Sequence, residues 1–192
     1  MEKTIKEYFN ISLLPVFEKE IILNELLESA PKVASALENY FNSEGKISIE
    51  KWVEKNFSDF ELHGQLDVII ETDKKVEVFD YKTREAMSEN AIKGQTRDSD
   101  GNYFRQLIFY KILLEKKSGF GDKEIIPALV FVKPDSAGRC PIVTLPISEK
   151  DTERVKSEID ELAKSVFSGA FLRDFCDDSE CKWCAMKKEF SL

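Results

Sequence analysis

No run of about eighteen apolar residues occurs anywhere in the chain, so no helix is expected to span a membrane. Residues 1–17, MEKTIKEYFNISLLPVF, lack the apolar centre and small-residue cleavage site of a secretory signal. A cytoplasmic protein is therefore expected, and with it cysteines free of disulfides. There is no G-x-x-x-x-G-K-[ST] loop, which excludes a phosphate-loop motor within these residues, and no internal repeat. Histidine occurs once, at His63. Positive charge is also short: 28 Lys and Arg stand against 36 Asp and Glu, a net charge of -8 with a pI of about 4.9. Lys and Arg make the phosphate contacts that dominate nucleic-acid affinity, so this balance argues against strong independent binding to such a polyanion.

What is present has the composition of a folded domain. Of 192 residues, 42% are hydrophobic and 33% charged, which is globular rather than disordered, and the length is ample for one core. A single domain is expected over 1–192. Its N-terminal helical part covers 1–58, a sheet and helix bearing the candidate site cover 59–147, and a C-terminal helix with a cysteine-containing tail covers 148–192. Residues 1–20 read as loop with a partial helix. Between 18 and 40, Ile22, Leu26, Val33, Leu37 and Tyr40 recur near a helical period of about 3.6. Pro31 suits the first turn of a second helix after Ser29. Residues 49–55 form a short helix or strand, with Trp52 as the expected core anchor. A strong helix, apolar nearly all round and hence buried, covers 103–116. Strands follow at 125–132 and 140–146, separated by a turn at 134–138. Ser148 N-caps a helix to about 167, with Asp151 in its first turn. This order predicts an α/β (α+β) fold with a mixed central sheet flanked by helices.

The richest stretch is HGQLDVIIETDKKVEVFDYKT, residues 63–83. Two segments of β-branched and aromatic residues flank the polar TDKK, which reads as a hairpin turning at Asp73-Lys74. That register pairs Glu71 with Val76 and Ile69 with Val78, then sets Asp67 opposite Asp80 and Gln65 opposite Lys82. Period-two alternation puts these last four on one face. Facing Cβ atoms lie about 5 Å apart, where two like charges destabilise a sheet unless compensated. A divalent cation compensates them, since hard oxygen ligands are what Mg²⁺ takes. Lys82 then stands where it can address a water or phosphate beside the metal, an arrangement suited to phosphodiester hydrolysis. Surface Asp and Lys are common on hairpins, but Val68, Ile69, Ile70, Val78 and Phe79 mark these strands as buried, where carboxylates are costly and tend to be functional. On the following helix, Gln106 and Tyr110 are four apart and share a face. Residues 84–102 are polar and rich in turn formers, either a loop that folds over a substrate strand or a plain connector.

The segments G-Q-L-D, V-F-D-Y-K-T and R-Q-L-I-F-Y-K-I-L-L resemble, in order and spacing, the RecB-like branch of the PD-(D/E)XK nuclease superfamily. The resemblance covers about 60–115 closely and the rest loosely, and it implies a restriction-endonuclease-like core. It implies Asp67 and Asp80 as metal ligands, with the Tyr81 backbone carbonyl as a further one, and Lys82 as the catalytic lysine. Gln106 and Tyr110 fall on its Q-x-x-x-Y motif, which shapes the site near DNA. Cleavage of DNA with Mg²⁺ or Mn²⁺ is implied, as is a helicase domain or subunit of the UvrD/RecB kind as partner, in DNA repair or recombination. Lys82, Arg84 and Arg105, with Lys93 and Arg97, would form a local basic strip for DNA. The chain would be a piece of a larger helicase-nuclease or a stand-alone derivative.

Two departures accompany the resemblance. The upstream G-x-x-x-H-x-x-L-E run is not found: Glu25, Glu28 and Glu38 lie on helical ground without its flanking pattern. Some relatives hold an iron–sulfur cluster through one upstream cysteine and a terminal C-x2-C-x5-C. Here Cys181 and Cys184 supply the C-x2-C, Phe190 occupies the next place and no cysteine precedes Cys140, so that cluster is not expected. Cys176, Cys181 and Cys184 could instead form a weak Zn²⁺ site, with Cys140, Asp177 or an outside group as fourth ligand. A second reading is therefore a catalytically inactive nuclease-fold scaffold that binds DNA or a partner protein. A third is a small metal-binding interaction module built on the cysteines.

Overall fold

The computed structural model describes residues 2–41, 44–117, 119–173, 175–176, 178 and 180–189, without the side chains of 39–41. Tyr40, Asp177 and Phe190 thus fall, wholly or in their side chains, outside what is described. The chain divides into two compact units, Met1–Pro146 and Ile147–Leu192. No helix among the described residues is long and apolar enough to cross a membrane.

The first unit begins with two helices, α1 (Glu2–Ile11) and α2 (Val16–Phe41), where a mostly irregular start was expected. Nor does Pro31 open a second helix: it lies inside α2. Its ring removes the N–H that would have bonded to the Leu27 carbonyl, and beside that position the Ser29 hydroxyl donates to the Leu26 carbonyl at 3.3 Å. Of the expected apolar stripe, Val33 and Leu37 pack on the sheet core, whereas Leu26 is exposed.

Five strands make one mixed sheet in sequence order: β1 (Lys46–Phe57), β2 (Phe60–Glu71), β3 (Lys75–Lys82), β4 (Glu124–Phe131) and β5 (Ile142–Thr144). β1 falls in the stretch read as the N-terminal helical part, and it resolves 49–55 as strand. Trp52 is not a core anchor: it is 58% exposed. Its indole donates to Glu54 Oε1 at 3.0 Å and its ring lies 5.8 Å from that of His63. Neighbouring strands are antiparallel except β3 and β4, which are parallel. A parallel pair needs a crossover, supplied here by α3 (Glu89–Ile92) and α4 (Asn102–Leu114).

The hairpin register is as expected, with Glu71 facing Val76 and Ile69 facing Val78. Thr72 closes the turn, its N–H donating to the Lys75 carbonyl at 2.9 Å. Alternation sends Val68, Ile70, Phe79, Ala128 and Val130 to one face, beneath Leu37 of α2. The opposite face of β3, which carries Asp80, is covered by α4. That helix buries Phe104, Leu107, Ile108, Tyr110, Ile112, Leu113 and Leu114, each large aliphatic contributing roughly 1.5–3 kcal/mol.

Two features seat α4. Gly64 on β2 lets it approach closely, since a Cβ there would meet Leu113 Cδ2 at 2.7 Å. At the helix C-terminus, where carbonyls lack intrahelical partners, the Lys55 ammonium donates to the carbonyls of Ile112 and Glu115, the latter at 2.7 Å. A lysine at that end also complements the helix dipole.

The second unit holds α5 (Glu149–Phe167), a short 3-10 turn (Ala170–Leu172) and α6 (Lys182–Glu189). Ser148 caps α5 as expected, in a reciprocal box with Asp151.

Candidate active site

The β2–β3 ladder ends at the pair Val68–Phe79, one step short of Asp67 and Asp80. Beyond it the Tyr81 N–H is no longer held by a β2 carbonyl and donates instead to Asp67 Oδ2 at 2.8 Å. On the other side β3 stays paired, with Val132 N–H donating to the Lys82 carbonyl at 3.0 Å. Backbone groups alternate in direction along a strand, so the Tyr81 carbonyl points with its N–H towards Asp67. The site is thus a place where one ladder ends while its neighbour continues. Gln65 does not meet Lys82 as expected: its amide donates to Glu50 Oε2 at 2.8 Å, and Glu50 has a φ of 49°.

Asp80 is only 5% exposed, and a buried carboxylate is costly unless hydrogen-bonded or paired. Its Oδ1 accepts from the Tyr110 hydroxyl at 2.7 Å and from Gln106 Nε2 at 3.0 Å. Gln106 Nε2 also donates to the Tyr110 oxygen at 2.8 Å, and Gln106 Oε1 accepts from the Lys82 ammonium at 2.8 Å. The lysine, a pure donor, requires the amide oxygen on its side, so the orientation of the amide follows from the network. Burial, then the hydrogen bond to Asp80, raises the Tyr110 phenol above its ordinary value, so it remains a donor. The Tyr81 phenol is raised too, by burial and then by the charge of Asp67.

The remaining Asp80 oxygen, Oδ2, lies 2.5 Å from the Lys82 ammonium, off the alignment of a hydrogen bond, so it has a charge beside it but no donor. One Asp67 oxygen is likewise unused by any hydrogen bond among the described residues. Two carboxylate oxygens and a backbone carbonyl on adjacent strands form a hard-oxygen donor set, which suits Mg²⁺ or Mn²⁺. Among the described residues no histidine or third carboxylate joins Asp67 and Asp80 in a ligand-type cluster.

Sequence reasoning missed Tyr103. The Lys82 ammonium stands 4.7 Å from the centroid of its ring and the Arg84 guanidinium 6.0 Å. The signal was available, since Tyr103, Gln106 and Tyr110 follow the i, i+3, i+7 spacing of one helix face. Of the expected basic strip, Lys82 and Arg84 meet at this ring, and Arg97 lines a cavity with Arg84 and Tyr103. Arg105 is on the exposed side of α4, bonded to the Asn102 side chain. Lys93 caps α3.

In the second unit the sulfur atoms of Cys176, Cys181 and Cys184 all lie within 4.8 Å of one another, with Cys176 and Cys184 3.3 Å apart. The Cys181 thiol is lowered, first by the backbone N–H of Cys184. The Cys176 thiol is raised, first by its hydrogen bond with Cys184. Cys140, in the first unit, is buried with its sulfur 3.9 Å from the Val132 carbonyl.

A family model described as the PD-(D/E)XK nuclease superfamily matches residues 8–188. No curated protein matches the chain. Among solved structures the chain is similar to one titled "Crystal structure of SSO0001", with 21% identity and a TM-score of 0.38. The match covers 78% of this chain and 63% of that one.

Proposed function

This chain belongs to the PD-(D/E)XK nuclease superfamily, and we propose that it is a divalent-cation-dependent deoxyribonuclease. The observation that carries the reading is the closed network of Asp80, Tyr110, Gln106 and Lys82 beside Asp67, with carboxylate oxygens left over. Asp67, Asp80 and the Tyr81 carbonyl would hold Mg²⁺ or Mn²⁺. When bound, such an ion supplies Lewis-acid polarisation of a phosphate and a more acidic water.

The protein's own groups do the positioning. Tyr110 and Gln106 hold Asp80 Oδ1, which directs Oδ2 away from them. Gln106 also restrains the Lys82 ammonium, whose remaining proton can reach a phosphate oxygen and stabilise the charge that develops on it. The ring of Tyr103 walls that ammonium on another side and excludes water from it. With a net charge of -8, the chain would borrow DNA affinity from a partner. A helicase of the UvrD/RecB kind, acting in repair or recombination, fits that need and the resemblance of the site motifs.

A second reading is a catalytically inactive scaffold that binds DNA or a partner protein. It is favoured by the two-carboxylate site, which has no third ligand-type side chain among the described residues. Titration of Mn²⁺ into the protein by calorimetry, wild type beside Asp80→Ala, separates the two. Binding that vanishes in the variant, together with DNA cleavage by wild type alone, supports the nuclease. An absence of binding to wild type places the scaffold first. The three thiols of the tail are, independently, a donor set for a thiophilic cation such as Zn²⁺.

A further inference from the structure

The two N-terminal helices leave a large apolar surface uncovered. Residues 8–17, YFNISLLPVF, carry no charge in a chain that is 33% charged. They close α1 and open α2: Ser12 N–H donates to the Phe9 carbonyl at 3.2 Å, and the Pro15 carbonyl accepts from Lys19 N–H at 2.9 Å. Ile5 and Phe9 are half-buried, as befits the side of α1 that lies on α2. Tyr8, Ile11, Leu13, Val16 and Phe17 are instead between 69% and 101% exposed. Tyr8 and Ile11 are three apart on α1, and Phe17 and Ile21 four apart on α2, spacings that align side chains along a helix face. The solvent face of a helix is ordinarily polar.

The size of the patch bears on its role. At about 150–250 Å² for a large side chain fully exposed, those five present roughly 800 Å². The largest apolar patch of an ordinary monomer is about 300–600 Å², whereas each partner gives about 800 Å² to a stable interface of standard size. The state of α1 points the same way. It is 10 residues long and buries none of them, and so short a helix is marginal in water without packing. Charge narrows the occupant. Exposed residues of both signs flank the apolar centre, Lys3 and Lys6 on α1 and Glu18 and Glu20 on α2. Such a surface can meet its own copy across a two-fold axis with opposite charges available on each side. An anionic lipid surface would face acidic groups at the rim and a chain of net charge -8.

We propose that this apolar surface is the interface of a homodimer, in which the tip at 13–17 and the exposed stripe of α1 pack on the same surface of a second copy. Two helical hairpins then form a four-helix arrangement with a common apolar core, and Leu13 becomes a central anchor. The inference is independent of the nuclease reading, since it uses no residue of the Asp67 and Asp80 site.

Sedimentation equilibrium of the full chain tests it, without metal or DNA. Wild type should be a dimer that dissociates at micromolar concentration or below, the range of interfaces of this area. Leu13→Glu places an unpaired charge in the interface and should raise the dissociation constant at least about 100-fold. Phe17→Glu, on the other helix, should do the same, so the result does not hang on the folding of one variant. Leu162→Glu, at an exposed leucine of α5, should leave the dimer as it is. A wild type that stays monomeric at the highest attainable concentration overturns the proposal. So does a dimer that both tip variants leave intact, because self-association then uses another face. A monomer that binds neutral phospholipid vesicles, and loses this in Leu13→Glu, assigns the tip to a lipid surface instead. A monomer that Leu13→Glu merely destabilises to urea assigns it to burial within the chain.

Discussion

Asp80 is buried and accepts hydrogen bonds from two side chains of α4, whereas Cys176 is exposed and the hydrogen bonds around the three thiols run mostly among the cysteines themselves. Both clusters gather ligand-type atoms, but they are held differently. In the sheet, the cost of burying a carboxylate is offset by Tyr110, Gln106 and Lys82, so the oxygens are positioned before any cation arrives. In the tail, α6 buries none of its residues, so little besides a bound ion would keep three sulfurs together. The first would be a preorganised site if it is catalytic, and the second would couple its local order to occupancy if it takes a metal.

That contrast can be broken in three ways. The largest effect is expected at Lys82. If the nuclease reading holds, Lys82→Ala should lower cleavage by about 10²–10³-fold, the size found for a single transition-state donor. It should leave Mn²⁺ binding in place, which calorimetry on the same variant would show. Cleavage at the wild-type rate would mean that the network is structural only. Next is Tyr110→Phe, which deletes one donor to Asp80 and one acceptor for Gln106. A loss of about 1–3 kcal/mol in urea unfolding is expected, with weaker Mn²⁺ binding, because Asp80 is then less firmly held. An unchanged stability would argue that solvent satisfies Asp80 equally well. The smallest effect belongs to the tail. Adding Zn²⁺ should protect Cys181 from alkylation, and chelator should reverse it. Cys181→Ser should remove the protection of its two neighbours while leaving the unfolding of the sheet within about 0.5 kcal/mol, as for surface substitutions. If chelator instead melts the sheet, the two clusters are not energetically separate.

Much of the site was legible before the structure. Period-two alternation and the TDKK turn placed Glu71 against Val76 and Ile69 against Val78 correctly, because register in a half-buried hairpin is tightly specified by its pattern. Helical spacing joined Gln106 to Tyr110. The N-cap at Ser148 was readable because it is local. The failures are those of long-range context. Trp52 was expected in the core, yet it faces outward on β1 and its ring lies beside that of His63. Pro31 was assigned to a helix start because proline is tolerated there, but packing of Val33 and Leu37 on the sheet keeps α2 continuous through it. Gln65 was set against Lys82 by extending a ladder that ends at Val68.

By itself the sequence determined the local periods: which strands turn back on each other, which residues share a helix face, and which carboxylates end up near one another. Only the tertiary structure decided what those carboxylates touch. β3 and β4 are parallel, so the chain must cross over between them, and the crossover lays α4 on the face that carries Asp80. From that placement follow the bonds of Tyr110 and Gln106 to Asp80, the ring of Tyr103 under Lys82, and the cavity behind it. None of these contacts is periodic, and so no spacing along the chain could announce them.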